Sequence, residues 1–196
     1  MRFDKGHKEN TRKRIIDIAS RRFRKDGISA SGLAGIMAES GLTKGAFYPH
    51  FDSKDALVRE ALSSALAEQL GNLADAAAGS MGIEDAIRRY LNTSHLKGYE
   101  DGCPSAALLP EIGRQPDPTK EAYEEGLVAY VRSLAELFPN PKSEHNQKRA
   151  IAVFSLMAGT LQIARAVADP LLAEEILEGG VQAALVLVEA CTSPAL

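Results

Sequence analysis

SGLTKGAFYPHFDSK, residues 40–54, crowds three aromatic rings (Phe47, Tyr48 and Phe51), a histidine and two lysines into fifteen positions, with Gly41, Gly45 and Pro49 among them. A core helix has no use for that many polar and helix-breaking residues, and a plain loop has no use for three rings. The stretch is therefore read as a short helical unit with two faces. Phe47 and Phe51 turn inward and close a small core, while Tyr48 and His50 face outward with hydrogen-bond donors on offer.

The residues upstream give that unit its setting. Ile15, Ile16, Ala19 and Phe23 repeat at helical spacing between Asn10 and Lys25, with Arg12, Arg14, Arg21 and Arg22 off the stripe. Gly27 stands where a helix end wants a left-handed residue. Ser31 is placed to cap a second short helix running to Ala38, with Leu33, Ile36 and Met37 facing inward. Glu39, Ser40 and Gly41 form a tight turn, and Thr43 is placed to cap a third helix. Two short helices joined by a glycine turn make a helix-turn-helix, whose second helix presents its first residues to the major groove of DNA. Lys54 opens the following helix, capped by Asp52 or Ser53, where a nearby phosphate would offset the cost of a cation at a helix N-terminus.

Charge supports the same end of the chain as the one that meets a polyanion. Residues 1–60 carry 13 Lys and Arg against 8 Asp and Glu, whereas residues 61–196 carry 10 against 18. The 196 residues are 45% hydrophobic and 25% charged, with no tryptophan and little strand-like alternation, which points to an all-α protein. The longest apolar run, Ala183 to Val188, is too short for a bilayer, no signal peptide is visible, and Cys103 and Cys191 make no CxxC pair. A cytoplasmic protein without a membrane segment is expected.

TKGAFYPHFDSKDALV, preceded by RKRIIDIASRRFRKDGISASGLAGIMAESGL, resembles the DNA-binding domain of the TetR family of bacterial transcriptional regulators over about residues 9–60. The resemblance implies an N-terminal three-helix DNA-binding domain (1–53) and a helical effector-binding and dimerisation domain (54–196). It maps the recognition helix onto Thr43 to His50, and phosphate contacts onto Ser31, Thr43, Tyr48, His50 and Lys54. Base-reading positions fall on Lys44, Gly45 and Ala46, and Pro49 occupies another. Met37 and Ser40 depart from the alanine common at their positions. Pro49 departs further, since it has no amide to donate to the Gly45 carbonyl and disfavours helical geometry at Tyr48. A recognition helix that ends early is the expectation.

The remainder reads as helices over 54–78, 83–97 and 118–138, then 146–168 and 170–191. A short one follows the GYEDGCPS linker and is interrupted at Pro110, and PNPKSEHN forms a loop (Pro139 to Asn146). Asp169 and Pro170 cap and open the last helix. The final two helices are apolar on more than one face and carry Gly159, Gly179, Gly180, Ala183 and Ala184. A two-fold four-helix homodimer interface accounts for this, and it matches the symmetric reader that a palindromic operator requires. Tyr90, Leu91, Met157 and Leu161 are the candidate lining of a small-molecule effector site. Cys103, just before Pro104, is a candidate effector-responsive thiol at a helix start. His95 and His145 lack ligand-spaced companions, so neither a metal nor any other cofactor is expected. The function expected is a dimeric regulator, a repressor released from a palindromic operator by a small-molecule effector, and not an enzyme. Two alternatives stay open: a helical thiol-dependent redox enzyme using Cys103, and a constitutive DNA-binding activator.

Overall fold

The computed structural model describes residues 5–139, 143 and 145–189. The PNPKSEHN loop falls partly outside the described residues, and Cys191, with the last two positions of the helix expected over 170–191, lies outside them. Among the described residues there are nine α-helices, one 3₁₀ turn and no strand, so the all-α reading holds. In order they are α1 (Lys5–Asp26), α2 (Leu33–Glu39), the 3₁₀ turn (Lys44–Ala46), α3 (Lys54–Ala78), α4 (Ile83–Tyr90) and α5 (Thr93–Lys97). Then follow α6 (Pro104–Ile112), α7 (Asp117–Ala135), α8 (Asn146–Ala166) and α9 (Pro170–Glu189).

The chain divides into two compact units, one of Met1–Ala67 with Tyr99–Glu125 and the other of Glu68–Gly98 with Gly126–Leu196. The first contains more than residues 1–53, because α6 packs into the core of the helix-turn-helix head. Ile15, Ala19, Phe23, Ile36, Met37, Phe47, Phe51, Leu57 and Val58 are buried together with Leu108 and Ile112 of α6. Polar ties reinforce that packing. Glu111 accepts hydrogen bonds from the backbone N–H of Ile28 (3.0 Å) and Ser29 (2.8 Å) and from the Ser29 hydroxyl (2.9 Å). Burial of the Glu111 carboxyl works against its ionisation, but these bonds prevail and its pKa is lowered. Arg24, itself buried, donates to the carbonyls of Ser20 and Gly102, and Lys25 pairs with Glu100.

In the second unit α8 and α9 form the principal helix pair, with α4 against α9 and α5 against α8. Gly180 is buried there: a Cβ at that position would strike the Thr160 side chain, so glycine is what lets the two helices approach. Ala184 is likewise fully buried within the chain. Both were expected on the surface toward a second copy, and both are instead buried within the chain, Gly180 against Thr160 of α8. Asp169 behaves as expected, its carboxylate accepting from the Leu171 N–H at 2.9 Å.

Three expectations about helix limits are corrected. The helix expected over 83–97 breaks at Leu91, because the Asn92 side chain accepts from the His95 N–H (2.8 Å) and starts α5 afresh. Pro110 does not interrupt α6, which runs on to Ile112. The missing amide falls in the last turn, where the loss of one ladder bond is tolerated. Residues 32 and 33, not Ser31, start α2, since Gly32 is the extended residue at its N-terminus.

Candidate nucleic-acid interface

Gly27 (φ +88°) ends α1 and Gly41 (φ +69°) ends the turn after α2, each in the left-handed region that glycine enters without strain. At Gly27 a side chain would also meet the Glu111 carboxylate. Between these two turns, Ile36 and Met37 are fully buried, and the Ser40 hydroxyl donates to the Ile36 carbonyl at 2.8 Å. The two departures from alanine therefore fit the core without an orphaned polar group.

The segment from Thr43 to His50 is not a continuous helix. Only Lys44–Ala46 is helical, as a single 3₁₀ turn, and Thr43 makes no side-chain cap bond. The physical reason is Pro49. With no N–H at that position the i to i−4 ladder cannot pass through it, and the chain closes instead on the Phe47 carbonyl. That oxygen accepts from both His50 N–H (2.9 Å) and Phe51 N–H (3.1 Å). Phe47 and Phe51 stack at 5.3 Å between ring centroids and are buried, as expected. The hydroxyl of Ser53, not Asp52, caps α3 by accepting from Ala56 N–H at 3.1 Å.

Around this turn Thr43, Lys44, Gly45, Tyr48 and Pro49 are exposed, and Ala46 and His50 are half-buried. Tyr48 is 64% exposed, an unusual position for a large ring that the core could have used. Nothing crowds Gly45, where a Cβ would approach only the Thr43 hydroxyl at 4.0 Å. The fold makes no demand for glycine there, whereas a partner surface pressed against the turn would.

Two expected contacts lie elsewhere. Ser31 is completely buried, its hydroxyl donating to the carbonyls of Gly27 (2.7 Å) and Arg22 (3.3 Å), so it holds the turn before α2 and offers nothing to a phosphate. The half-buried Lys54 donates to the Ile28 carbonyl at 2.7 Å and so ties α3 to the end of α1.

Sequence reasoning missed Arg12. Its guanidinium donates to the His50 carbonyl (3.4 Å), lies 4.7 Å from the centre of the Phe51 ring and pairs with Glu60 at 2.5 Å. These partners are 38 and 48 residues away in sequence, so local periodicity could only assign Arg12 to a solvated face. Burial lowers the pKa of His50, and the charges of Lys8 and Arg12 lower it further. Its imidazole is thus neutral near pH 7, and one ring nitrogen, Nδ1, is buried without a hydrogen-bond partner. The other nitrogen is then the natural carrier of the proton.

The remaining candidates are divided between the units. Tyr90, Leu91, Met157 and Leu161 are all buried in the second unit, where Tyr90 meets His95 edge-on at 4.6 Å and lies 6.3 Å from Phe154. Cys103 belongs to the first unit, where it is buried as the residue before α6. No group of three or more His, Cys, Asp or Glu residues suited to a metal occurs among the described residues. No described helix is long and apolar enough to cross a membrane.

Residues 15–61 match the family described as "Bacterial regulatory proteins, tetR family". The chain is 28% identical over 92 residues to the transcriptional repressor KstR2 of Rhodococcus jostii, a match covering 47% of this chain and 45% of that protein. It is 28% identical over 157 residues to the transcriptional regulator LmrA of Bacillus subtilis, covering 76% and 82% respectively. The fold is similar to that of the reduced form of Escherichia coli NemR, with a TM-score of 0.74, 20% identity and coverage of 89% and 95%. The relatives are named as regulators of transcription, and over residues 15–61 the chain carries the sequence of the TetR family of bacterial transcriptional regulators.

Proposed function

We propose that this protein is a dimeric repressor that binds a palindromic operator through the turn at Thr43–His50 and is released from it by a small-molecule effector. The observation that carries the DNA reading is a donor-bearing surface that the head's own packing leaves open: Thr43, Lys44 and Tyr48 are exposed around an uncrowded Gly45. Lys44 is the side chain suited to a guanine edge. Tyr48 and His50 are suited to phosphate oxygens, with Thr43 beside them and Gly45 and Ala46 allowing close approach. Lys54 supports the site from behind through Ile28.

The dimer reading rests on the open side of α8 and α9. Ile151, Ile163, Leu171 and Val186 are each more than half exposed, and Gly159 and Gly179 face empty space. Exposed apolar side chains on both helices call for cover, and a second copy of the same pair supplies it with the two-fold symmetry that a palindrome needs. The domain assignment, 1–53 for DNA and 54–196 for dimerisation and effector, is part of the same proposal. Tyr90, Leu91, Cys103, Met157 and Leu161 remain the proposed effector contacts, coupled to DNA binding by a shift in population between DNA-competent and released states. KstR2, a named repressor, favours repression over activation.

The test is selection of duplexes from random-sequence DNA by the purified full chain. Enrichment of an inverted repeat supports the reading, and recovery of unenriched sequence overturns it.

A further inference from the structure

Pro49 creates a mechanical problem in the recognition turn. A continuous helix would hold its outward side chains through a ladder of backbone bonds, but here the ladder is replaced by one 3₁₀ turn and a shared Phe47 carbonyl. Such short turns have poorer hydrogen-bond geometry than an α-helix. Tyr48 and His50 sit beyond the last helical residue, so some other group must fix their presentation.

Arg12 of α1 meets this segment at two successive residues. Its Nε donates to the His50 carbonyl, a long bond at 3.4 Å, and its guanidinium lies against the Phe51 ring, 4.7 Å from the centroid. Glu60 of α3 holds the other side of the fork, with carboxylate oxygens at 2.6 and 2.5 Å from one terminal nitrogen. A planar guanidinium can bond along two edges while stacking on a ring, whereas a lysine ammonium cannot do both. The pair is about one-third exposed, so its ion-pair energy is small. Its value is geometric: α1, α3 and the turn are fixed to one another at the point where the helix ladder fails.

We propose that Arg12 is a positioning residue for DNA recognition, braced by Glu60, which sets the aim of Tyr48 and His50 without itself touching DNA. This rests on the reading of the turn as the operator-binding element.

The experiment uses the full chain with its Arg12→Gln, Arg12→Lys and Glu60→Gln variants. The probes are a duplex selected by the wild-type protein from random-sequence DNA and a scrambled duplex of equal length, measured by fluorescence anisotropy over a salt series. Arg12→Gln and Glu60→Gln are expected to weaken binding to the selected duplex about tenfold and to reduce the ratio of selected to scrambled affinity. The slope of log affinity against log salt should stay at its wild-type value, because Tyr48 and the neutral His50 carry no charge that releases counterions and Arg12 itself touches no phosphate. Arg12→Lys should fail to rescue. In the free Arg12→Gln protein the His50 imidazole should titrate at a higher pH by NMR, since a neighbouring positive charge has gone.

A salt slope that falls by about one, with both duplexes weakened alike, makes Arg12 a phosphate contact and overturns the proposal. So does wild-type affinity in either Gln variant, or full rescue by lysine. If Arg12→Gln lacks helical circular dichroism, Glu60→Gln carries the test, since it releases the brace and leaves α1 intact. A wild-type protein that selects no sequence at all overturns the operator reading itself, a result distinct from failure of the Arg12 variants alone.

Discussion

The Thr43–His50 turn and the α8/α9 pair each have a buried side built from apolar residues and an open side, and they differ in what the open side carries. Around the turn the core takes Phe47 and Phe51, and solvent meets Lys44, Tyr48 and half of His50. On α8 and α9 the core takes Val153, Met157, Leu161 and Leu177, and solvent still meets Ile163, Leu171 and Val186. Glycine sharpens the contrast. Gly180 is enclosed against Thr160 and is explained by the fold, whereas Gly45 and Gly179 have room for a side chain and are not. An unexplained glycine beside donors suits a phosphate-bearing groove. One beside aliphatic side chains suits another helix.

The largest effect is expected where that contrast is attacked at α8 and α9. The double variant Ile163→Glu with Val186→Glu places charge on the open apolar side and should convert a dimer to a monomer in sedimentation. Specific DNA affinity should fall by at least about a hundredfold, because two linked heads become one. A wild-type protein that sediments as a monomer and still binds its selected duplex tightly would rule the dimer out.

Next in size is the internal side of the same helices. Gly180→Leu forces α8 and α9 apart at Thr160 and should cost about 1–3 kcal/mol of stability in urea unfolding. Gly179→Ala meets nothing within the chain and, as a helix-interior glycine, should leave the monomer's fold unchanged or stabilise it by up to about 1 kcal/mol. Equal destabilisation by both would show that the enclosed and open glycines are not distinct.

At the turn, Lys44→Ala should relax preference at one operator position by about 1–3 kcal/mol. Tyr48→Phe should weaken all duplexes by only about 1 kcal/mol, one hydrogen bond's worth. Uniform weakening by Lys44→Ala would move that residue from base reading to phosphate contact.

The smallest effect concerns protons. His95 has its pKa lowered from the ordinary 6.5, chiefly by burial; the charge of Arg165 adds to this and a bond to the Tyr90 carbonyl opposes it. His50 shifts the same way. Because the unfolded chain takes up these protons more readily, stability is level above about pH 6.5 and declines as pH falls through it. Urea unfolding at pH 7.5 and 5.5 should show the decline, and His95→Gln should flatten it. An unchanged pH response in that variant would assign the loss to other groups.

Much of the head was legible because its signals are local. Gly27 and Gly41 mark chain reversals through their own backbone, Ile15, Ala19 and Phe23 follow the helical period, and Pro49 announces the shortened helical turn after Gly41. The sequence also carried the charge asymmetry and the capping pair at Asp169 and Pro170. What it could not carry were choices made by partners distant in the chain. Ser31 and Lys54 have donor chemistry fit for phosphate, yet their hydrogens go to the carbonyls of Gly27, Arg22 and Ile28. Gly180 and Ala184 look in sequence just like Gly179 and Ala183, and only helix packing on α9 decides which of each pair is enclosed. Arg12 takes its contacts from His50, Phe51 and Glu60, none of them within reach of a sequence window. Local backbone chemistry thus determined where the chain turns, and long-range packing alone decided which polar and small residues are used up inside the molecule and which are left to meet a partner.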